Sequence, residues 1–310
     1  MNGIQLIIEP GKVVSWKDFK RKAPIRSIAI DGYVDHPTVF DEIKIIHNFD
    51  HHKGVNRLAT RATCDQVRKA ILQGLLDCYR DENGELSFTI YANDCDEDVC
   101  LSYFLLHNPE WACKVSDPLL NKLLFFEDML DTTAGTYPFS KDSSFLRELE
   151  WIFMPYKKAR IGGILEKNNP QDYFDIIKSV ERNILHYLVG KGDKVDYFNT
   201  SYEVIGGGKG WSMVKEIGEQ ARKGMISDGI KKFISVRERP DGKWTYVIGK
   251  MTPYSLGFNL TDWFPRLNEI EGCKEGGWGG SDTIGGSPRG IGSSIPPEQL
   301  QMHINTWIAE

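Results

Sequence analysis

Residues 86–107 read LSFTIYANDCDEDVCLSYFLLH and contain, in order, a strand-like segment, an acidic turn and an apolar segment. Apolar and polar residues alternate in LSFTIY, as they do in a strand, and this segment follows an Asn-Gly turn at residues 83–84. Val99–Leu106 is almost entirely apolar, which predicts a buried helix. A strand followed by an acidic turn and a helix is typical of an α/β domain.

Two apolar segments upstream also end at acidic residues. Ile25–Ile30 ends directly before Asp31, and Glu42–Phe49 ends directly before Asp50. Ligands bind at the carboxyl ends of strands in parallel sheets, so these acidic residues stand where a site is expected. We therefore predict an α/β fold whose first domain, residues 1–141, contains a largely parallel sheet.

The remainder of the chain predicts a helical connector and a second, smaller α/β domain. We assign residues 142–198 to the connector, because they are helical in pattern as far as about residue 190, and residues 199–310 to the second domain. The elements predicted in that domain are strands at Tyr202–Ile205, Lys232–Glu238 and Lys243–Ile248, and helices at Met213–Arg222, at Asn259–Ile270 and from Pro297 onward. A Gly-rich segment precedes the last helix.

The composition indicates a folded chain with a small negative charge. Among its 310 residues, 38 Lys and Arg oppose 43 Asp and Glu, so the net charge is −5, which argues against coating of long nucleic acid. The 6 cysteines are scattered without a Cys-x-x-Cys pair, which favours reduced thiols. No run approaches the ~20 apolar residues of a membrane span. We therefore expect a cytoplasmic protein that neither spans a membrane nor has a membrane as a partner.

The acidic turns and a pair of histidines form a candidate metal site. The residues concerned are Asp31, Asp50, His51, His52, Asp94, Asp96 and Asp98. Carboxylates gathered in one cleft repel one another unless a cation neutralises them. A mixed set of carboxylates and imidazoles suits Mn²⁺, and a larger share of carboxylates suits Mg²⁺. Two such ions about 3.5–4 Å apart could hold a phosphoryl group and activate a water molecule against it.

Simpler explanations exist for the same residues. Asp98 could cap the N-terminus of the helix that follows it, and we weigh this equally with a metal-binding role. A calcium-binding EF-hand is excluded, because Val99 and Leu105 stand where that loop needs Gly and Glu. The two histidines could be a surface pair, although their position directly after a strand favours a site.

These motifs resemble those of a known enzyme family. The sequence FDHHK at residues 49–53 resembles the signature of the DHH phosphoesterase superfamily. Residues 96–102, DEDVCLS, resemble the second metal motif of that family, Asp-x-Asp-Gly-x-x-Ser, and Asp94 stands where many members carry His. The Gly-rich segment 276–289 resembles the substrate-binding loop of the associated DHHA1 domain. The resemblance implies a DHH-like domain, a helical connector and a DHHA1-like domain.

The chain departs from the family pattern at several points. Its Asp-x-Asp motif follows the His pair, whereas it comes first in the family, and a circular permutation would explain the order. Val99 replaces the Gly of that motif, and the terminal loop lacks its His. The fourth metal-binding Asp of the family is Asp128 or Asp131 here, with a slight preference for Asp128, because Asp131 could equally cap the following turn.

The resemblance implies a role for each of these residues. The implied metal ligands are Asp31, Asp50, His51, Asp94, Asp96, Asp98 and Asp128. The implied catalytic residues are His51, His52 and Asp96. His52 would orient a ligand or contact a phosphate. The implied substrate-binding residues are Gly279, Gly280, Ser281 and Arg289. Two Mn²⁺ ions, or Mg²⁺, would be the cofactor.

The predicted activity is metal-dependent hydrolysis of a phosphodiester or phosphoanhydride bond. The substrate would be a nucleotide, a short oligonucleotide or a similar small phosphorylated molecule, and a homo-oligomer is compatible with the sequence. The alternative is a non-catalytic nucleotide-binding sensor on the same fold, and a third hypothesis is a structural α/β module whose acidic residues are only helix caps. Trp211 and Trp278 could stack on a base, although Trp is more often a core residue.

Overall fold

The computed structural model describes residues 3–56, 59–273 and 276–310, and it is a mixed α/β protein. The chain divides into two compact units. The first unit comprises the residues as far as Thr132 together with Ser144–Val195, and the second comprises Thr133–Ser143 with Asp196–Glu310. Among the described residues, no helix combines the length and the hydropathy that crossing a membrane would require.

The first unit contains a five-stranded sheet. Its strands are β1 (Gly3–Ile8), β2 (Ser27–Ile30), β3 (Val39–Asp41), β4 (Ile46–Phe49) and β5 (Ser87–Ala92). They lie in the order β1-β5-β2-β4-β3, and all neighbours are parallel except the β3–β4 pair. The prediction of a largely parallel sheet is therefore confirmed for this unit. Ile30 pairs with Phe49, so β2 and β4 end side by side.

Helices cover this sheet. They are α1 (Trp16–Lys22), α2 (Thr63–Leu72), α3 (Glu97–His107), α4 (Pro109–Ala112), α5 (Pro118–Thr132), α6 (Ser144–Ile152), α7 (Met154–Ile161) and α8 (Pro170–Leu188), with 3₁₀ turns at Leu75–Tyr79 and Leu165–Lys167. As predicted, α3 is buried on all sides, from Asp98 to Leu106. An apolar helix of this kind must lie in the centre of a domain, because no face of it can be left in water.

The predicted connector, residues 142–198, is helical as expected, but its helices belong to the core of the first unit. Phe145 and Leu149 of α6 and Ile177 and Ile184 of α8 are buried in the same apolar cluster as α3. Buried apolar surface stabilises a fold at about 25 cal/mol per Å², so this stripe holds α6 and α8 on the domain. Residues 144–195 of this segment are therefore a structural part of the first unit and not a separate linker, and its remaining residues belong to the second unit.

The second unit contains a six-stranded mixed sheet in the order β10-β11-β9-β8-β7-β6. Its strands are β6 (Tyr202–Gly208), β7 (Trp211–Glu216), β8 (Lys232–Glu238), β9 (Trp244–Lys250), β10 (Gly279–Gly280) and β11 (Ile284–Gly286). The helices are α9 (Ala221–Ser227), α10 (Leu260–Glu271) and α11 (Pro297–Ala309). The β7–β8 pair is parallel, and the other pairs are antiparallel.

One predicted element of the second unit is wrong. Met213–Arg222 was expected to be a helix, but Trp211–Glu216 is a strand and α9 begins at Ala221. Gly210 has φ +77°, which allows the tight turn from β6 back into β7. Pairing with β6 in the hairpin decides the conformation of this segment. The spacing of its own apolar residues does not.

The two tryptophans considered as base-stacking residues are core residues. Trp211 and Trp278 are both buried in the apolar cluster of the second unit. Their indole N–H groups donate to Asn305 at 2.9 Å and to Glu271 at 2.6 Å. Burial with a satisfied N–H is the usual structural role of Trp.

Candidate metal centre

The acidic turns of the first unit meet at one edge of its sheet. Asp31 follows β2, residues 50–52 follow β4, and residues 94–98 follow β5, and these three strands are neighbours. The carboxyl ends of parallel strands lie at the same edge, which brings groups that are distant in sequence together. The structure places five of them in what we call the metal-site cluster, which consists of Asp31, His51, His52, Asp98 and Asp131.

The metal-site cluster contains two overlapping groups of potential ligand atoms. One group is formed by Asp31, His51 and His52, and the other by His51, Asp98 and Asp131. Within each group the ligand atoms lie within 4.8 Å of one another. Because His51 belongs to both groups, the two potential sites are adjacent. Oxygen and imidazole nitrogen donors in this proportion fit Mn²⁺, and the carboxylates also fit Mg²⁺.

His51 is at the centre of the cluster and is fully buried. Its Nε2 atom lies 2.8 Å from Asp131 Oδ2, 3.4 Å from Asp31 Oδ1 and 3.7 Å from Asp98 Oδ2. Despite these short distances, neither His51 Nε2 nor Asp131 Oδ2 has a hydrogen bond of acceptable geometry within the described residues. Buried polar atoms without a partner are costly, and a bound cation would satisfy both.

The charge state of His51 follows from the same carboxylates. Burial lowers the pKa of this imidazole, but Asp131 and Asp31 outweigh it and raise the pKa of His51 to about 11. Without a cation, the imidazole therefore carries a proton among carboxylates at neutral pH. A divalent cation would take the place of that proton, because a ligating imidazole must be neutral.

Asp31 occupies a backbone conformation that Asp tolerates better than most residues. Its φ is +48°, in the left-handed region, directly after the last residue of β2. Its Oδ1 atom accepts a hydrogen bond from the Thr63 hydroxyl at 3.0 Å. Burial raises the pKa of Asp31, but the neighbouring His51 and His52 lower it by more. The pKa of Asp31 is therefore below its usual value, and the carboxylate stays ionised. Nothing in the sequence distinguishes Thr63 as a partner of this site.

Asp98 is held by the start of another helix. Its two carboxylate oxygens accept the backbone N–H groups of Thr63 at 2.7 Å and Cys64 at 2.6 Å, at the N-terminus of α2. Asp98 is thus a cap, as one sequence hypothesis had it, but for α2 and not for its own helix. Burial raises the pKa of Asp98 well above its usual value, with further contributions from Asp31 and Asp131.

Asp94 and Asp96 lie beside the cluster and contribute no atom to either group within the described residues. Asp96 caps α3, because its Oδ1 accepts the N–H of Val99 at 3.0 Å. Burial raises the pKa of Asp96 well above its usual value, and the Asp31 and Asp94 carboxylates raise it further. Asp94 accepts the N–H of Cys95 at 2.7 Å. The structure therefore gives both residues backbone partners.

Asp50 and His52 have exchanged their expected roles, since Asp50 was expected to be a ligand and His52 to orient one. His52 Nδ1 lies 3.0 Å from Asp50 Oδ1 and 3.4 Å from Asp31 Oδ1, so His52 belongs to a group of ligand atoms. Asp50 is buried, and its Oδ2 accepts the N–H of Lys53 at 3.1 Å. It orients His52, as carboxylates often orient the imidazoles of metal sites. The side chain of His52 is 44% exposed and reaches the surface of the site.

The choice between Asp128 and Asp131 is decided by helix α5. Asp131 faces His51, whereas Asp128 Oδ1 accepts the N–H of Ala62 at 2.7 Å, and its Oδ2 lies 3.9 Å from Arg61. The geometry therefore brings Asp131, and not the slightly preferred Asp128, into the metal-site cluster. The two residues are three positions apart on one helix, so their sequence spacing alone does not show which one faces the site.

The predicted substrate loop lies in the second unit. Gly279 and Gly280 form β10, which pairs with β11, and Ser281 lies in the connecting turn, where its Oγ accepts the N–H of Ile284 at 3.1 Å. A Cβ at Gly280 would lie 2.3 Å from the Cα of Gly285, so glycine is needed for this close strand approach. Arg289 is exposed beyond the hairpin. The glycines therefore serve here to let two short strands pass closely in a hairpin.

Comparisons of the chain with known protein families, with curated proteins and with solved structures found no match. The chemistry of the site is therefore argued from its own atoms. These are a buried imidazole, three carboxylates and a partly exposed imidazole at the carboxyl edge of a parallel sheet. Such a donor set can hold divalent cations, and cations held there can act on a phosphate ester or anhydride.

Proposed function

We propose that the protein is a metal-dependent phosphoesterase that hydrolyses a phosphodiester or phosphoanhydride bond in a small phosphorylated substrate. The observation that carries the proposal is the buried contact of His51 Nε2 with Asp131 Oδ2 at 2.8 Å, in which neither atom has a hydrogen bond of acceptable geometry within the described residues. Asp31 and Asp98 add carboxylate oxygens within 3.7 Å of the same nitrogen. A cation among these atoms would balance the gathered carboxylates in place of the imidazole proton.

The two groups overlap at His51, whose Nε2 could ligate one cation, so a second cation would be held by the neighbouring carboxylate oxygens. Two divalent cations about 3.5–4 Å apart lower the pKa of a bound water and stabilise the attacking and leaving oxygens of a phosphoryl group. Among the residues implied by the DHH resemblance, Asp31, His51, His52 and Asp98 lie in the metal-site cluster. The resemblance and the geometry therefore support the same proposal through these four residues.

The residues of the chain would hold this site in place. Asp98 is fixed by two backbone N–H groups of α2, and Asp31 is fixed by the Thr63 hydroxyl. Ligands that are already hydrogen-bonded need little rearrangement when a cation binds, and rearrangement costs affinity. The partly exposed His52 is fixed through Nδ1 by Asp50, which leaves Nε2 on the other side of the ring to bind a cation.

The first test is metal binding followed by turnover. Protein stripped of metal with EDTA would be titrated with Mn²⁺ and with Mg²⁺ by calorimetry. The metal-loaded protein would then be incubated with a linear dinucleotide, a cyclic dinucleotide and pyrophosphate. We expect Mn²⁺ to bind and phosphate or nucleoside monophosphate to be released. Metal binding without any product would support the sensor alternative, and no metal binding would support the structural one.

Variants connect the activity to the metal-site cluster. Asp131→Asn should lower the rate by about 1,000-fold, because positioned metal ions contribute several kcal/mol to the stability of the transition state. Asp77→Asn is the matched control, because Asp77 is exposed, with 81% of its side chain accessible. Equal activity of Asp131→Asn and the wild-type protein would contradict the assignment.

A further inference from the structure

A polar cavity lies in the first unit, between α2 and α5. Its volume is about 450 Å³, which is large enough for a small molecule. Three cationic side chains line it, Arg61, Arg68 and Lys69, together with the carboxylates of Asp65 and Asp128. None of these residues belongs to the metal-site cluster.

Arg68 is the unusual residue of this cavity. It is only 3% exposed, and its Nη2 donates to the Lys114 carbonyl at 2.6 Å. Its Nε and Nη1 atoms are buried and have no hydrogen-bond partner within the described residues. A buried guanidinium with unsatisfied donors is destabilising, because its charge has lost water without gaining a counter-ion. Arg68 therefore has two donors and a positive charge that no described residue satisfies, and an anion would satisfy all three.

The two carboxylates that line the cavity already have partners within the protein. Asp65 is paired with Arg61, and Asp128 accepts the N–H of Ala62. Arg68 makes no ion pair with a described carboxylate, and burial lowers its pKa, although Asp117 and Asp65 act against this effect. Lys69 is exposed at the same cavity and is also without an ion pair among the described residues. The cavity thus has two cationic groups available for a ligand.

The rest of the lining is apolar and partly open to solvent. Phe125 is 48% exposed and Leu72 is 42% exposed, on the facing sides of α5 and α2. An exposed aromatic ring beside an apolar side chain can hold a flat ring by stacking. Arginine and lysine provide the donors that a phosphate group requires.

We propose that this cavity binds a nucleoside monophosphate, with its phosphate at Arg68 and Lys69 and its base against Phe125 and Leu72. The site is separate from the metal-site cluster and needs no metal. It would therefore respond to the product class of the proposed reaction, although its existence does not depend on that reaction.

The test is calorimetric titration of metal-free protein in EDTA with AMP, inorganic phosphate and adenosine. AMP should bind, phosphate should compete with it, and adenosine should bind more weakly. Arg68→Gln should weaken AMP binding by about 10- to 100-fold, because charge-assisted hydrogen bonds contribute about 1.5–3 kcal/mol. The matched control is Arg80→Gln, because Arg80 is exposed and does not line the cavity.

A second variant covers the case in which Arg68→Gln fails to fold. Lys69→Gln alters an exposed side chain and should weaken AMP binding several-fold. Asp131→Asn should bind AMP as the wild-type protein does, which separates this site from the metal-site cluster. The proposal is overturned if wild-type protein binds no AMP at ~10 mM, or if the folded variants at positions 68 and 69 bind it as tightly as wild type.

Discussion

Asp31 combines a strained backbone with a buried, ionised side chain. A non-glycine residue with φ +48° costs free energy, and such residues are concentrated at functional sites. The backbone N–H of Asp31 donates a hydrogen bond to the Phe49 carbonyl at 2.9 Å, and this bond joins the end of β2 to the end of β4. The residue that begins the turn is thus held rigidly while its carboxylate points to His51 and His52.

The role of Asp50 can be tested at the same scale. Asp50→Ala should weaken Mn²⁺ binding by roughly 10- to 100-fold, because residues that orient a metal-binding imidazole have effects of that size. The loss should be smaller than that of Asp131→Asn, whose carboxylate lies in the cluster itself. The measurement is the Mn²⁺ dissociation constant from calorimetry.

Asp35→Ala is the control for this variant. Asp35 pairs with Lys53, whose backbone N–H is bound by Asp50, but its own side chain is half exposed. It should bind Mn²⁺ as the wild-type protein does. Unchanged affinity in Asp50→Ala would mean that His52 is not positioned by Asp50.

At the scale of elements, helix α2 connects the two proposed sites. Its own N-cap residue, Ala62, has no side chain that can cap, so Asp98 of α3 and Asp128 of α5 bind its first N–H groups. Exposed N–H groups at a helix start favour carboxylates, and here the carboxylates come from two neighbouring helices. The metal-site cluster thus adjoins the first turn of α2, and the Arg68 cavity runs along the same helix from Arg61 to Gln73.

Helices α3 and α8 are joined by a buried charge network around Glu181. Glu181 Oε1 lies 2.7 Å from His107 Nδ1 and 2.8 Å from Asn108 Nδ2, and Oε2 pairs with Lys178. Burial raises the pKa of Glu181, but His107, Lys178 and Asn108 outweigh it and lower the pKa of Glu181 to about 2. A carboxylate whose pKa is lower in the folded state than in the unfolded state stabilises the fold. This stabilisation is fully present at pH values above the unfolded-state pKa and is lost as the pH falls through the folded-state pKa.

Glu181→Gln should therefore destabilise the protein in a pH-dependent way. Relative to wild type, it should lose about 2 kcal/mol of unfolding free energy at pH 7, because the charged partners remain without their carboxylate. The difference should decrease as the pH falls from about 4.5 toward 2, where Glu181 itself becomes protonated. Urea unfolding at pH 7 and pH 3 measures it.

Glu110→Gln is the matched control, since Glu110 is an exposed residue of the short helix α4. Its stability should follow that of the wild-type protein at both pH values. An equal loss for Glu181→Gln at pH 7 and pH 3 would contradict the electrostatic explanation and indicate a packing defect.

At the scale of the whole molecule, the two units have different sheets and different site chemistry. The first has a largely parallel sheet with charged groups at its carboxyl edge, and the second has a mixed sheet with a glycine hairpin at one end. Metal binding should therefore stabilise the first unit in particular, because a ligand that binds only the native state raises its stability by mass action.

Mn²⁺ at about 100 times its dissociation constant should raise the unfolding temperature of the first unit by roughly 5–10 °C. Calorimetric scans with Mn²⁺ and with EDTA measure this shift. Hydrogen exchange should slow at the first turn of α2, whose N–H groups are bound by Asp98, and stay unchanged at the β10–β11 hairpin. Asp131→Asn should show neither change, and slower exchange at the hairpin alone would place the metal elsewhere.

The local chain accounts for much of this structure. The strands around the acidic turns, the buried helix α3 and the helices of residues 144–188 follow from apolar spacing within short segments. These features depend on neighbouring residues, so the sequence by itself determined them.

Other features depend on contacts between distant segments. The β7 strand at Trp211–Glu216 needs its hairpin partner, and helices of the predicted connector needed a core to bury them. Asp131 and not Asp128 faces His51 because α5 is rotated by its packing against α2 and α3, a rotation that i, i+3 spacing leaves open. Only the tertiary structure decided these points, because the free energy of long-range packing outweighs local preference.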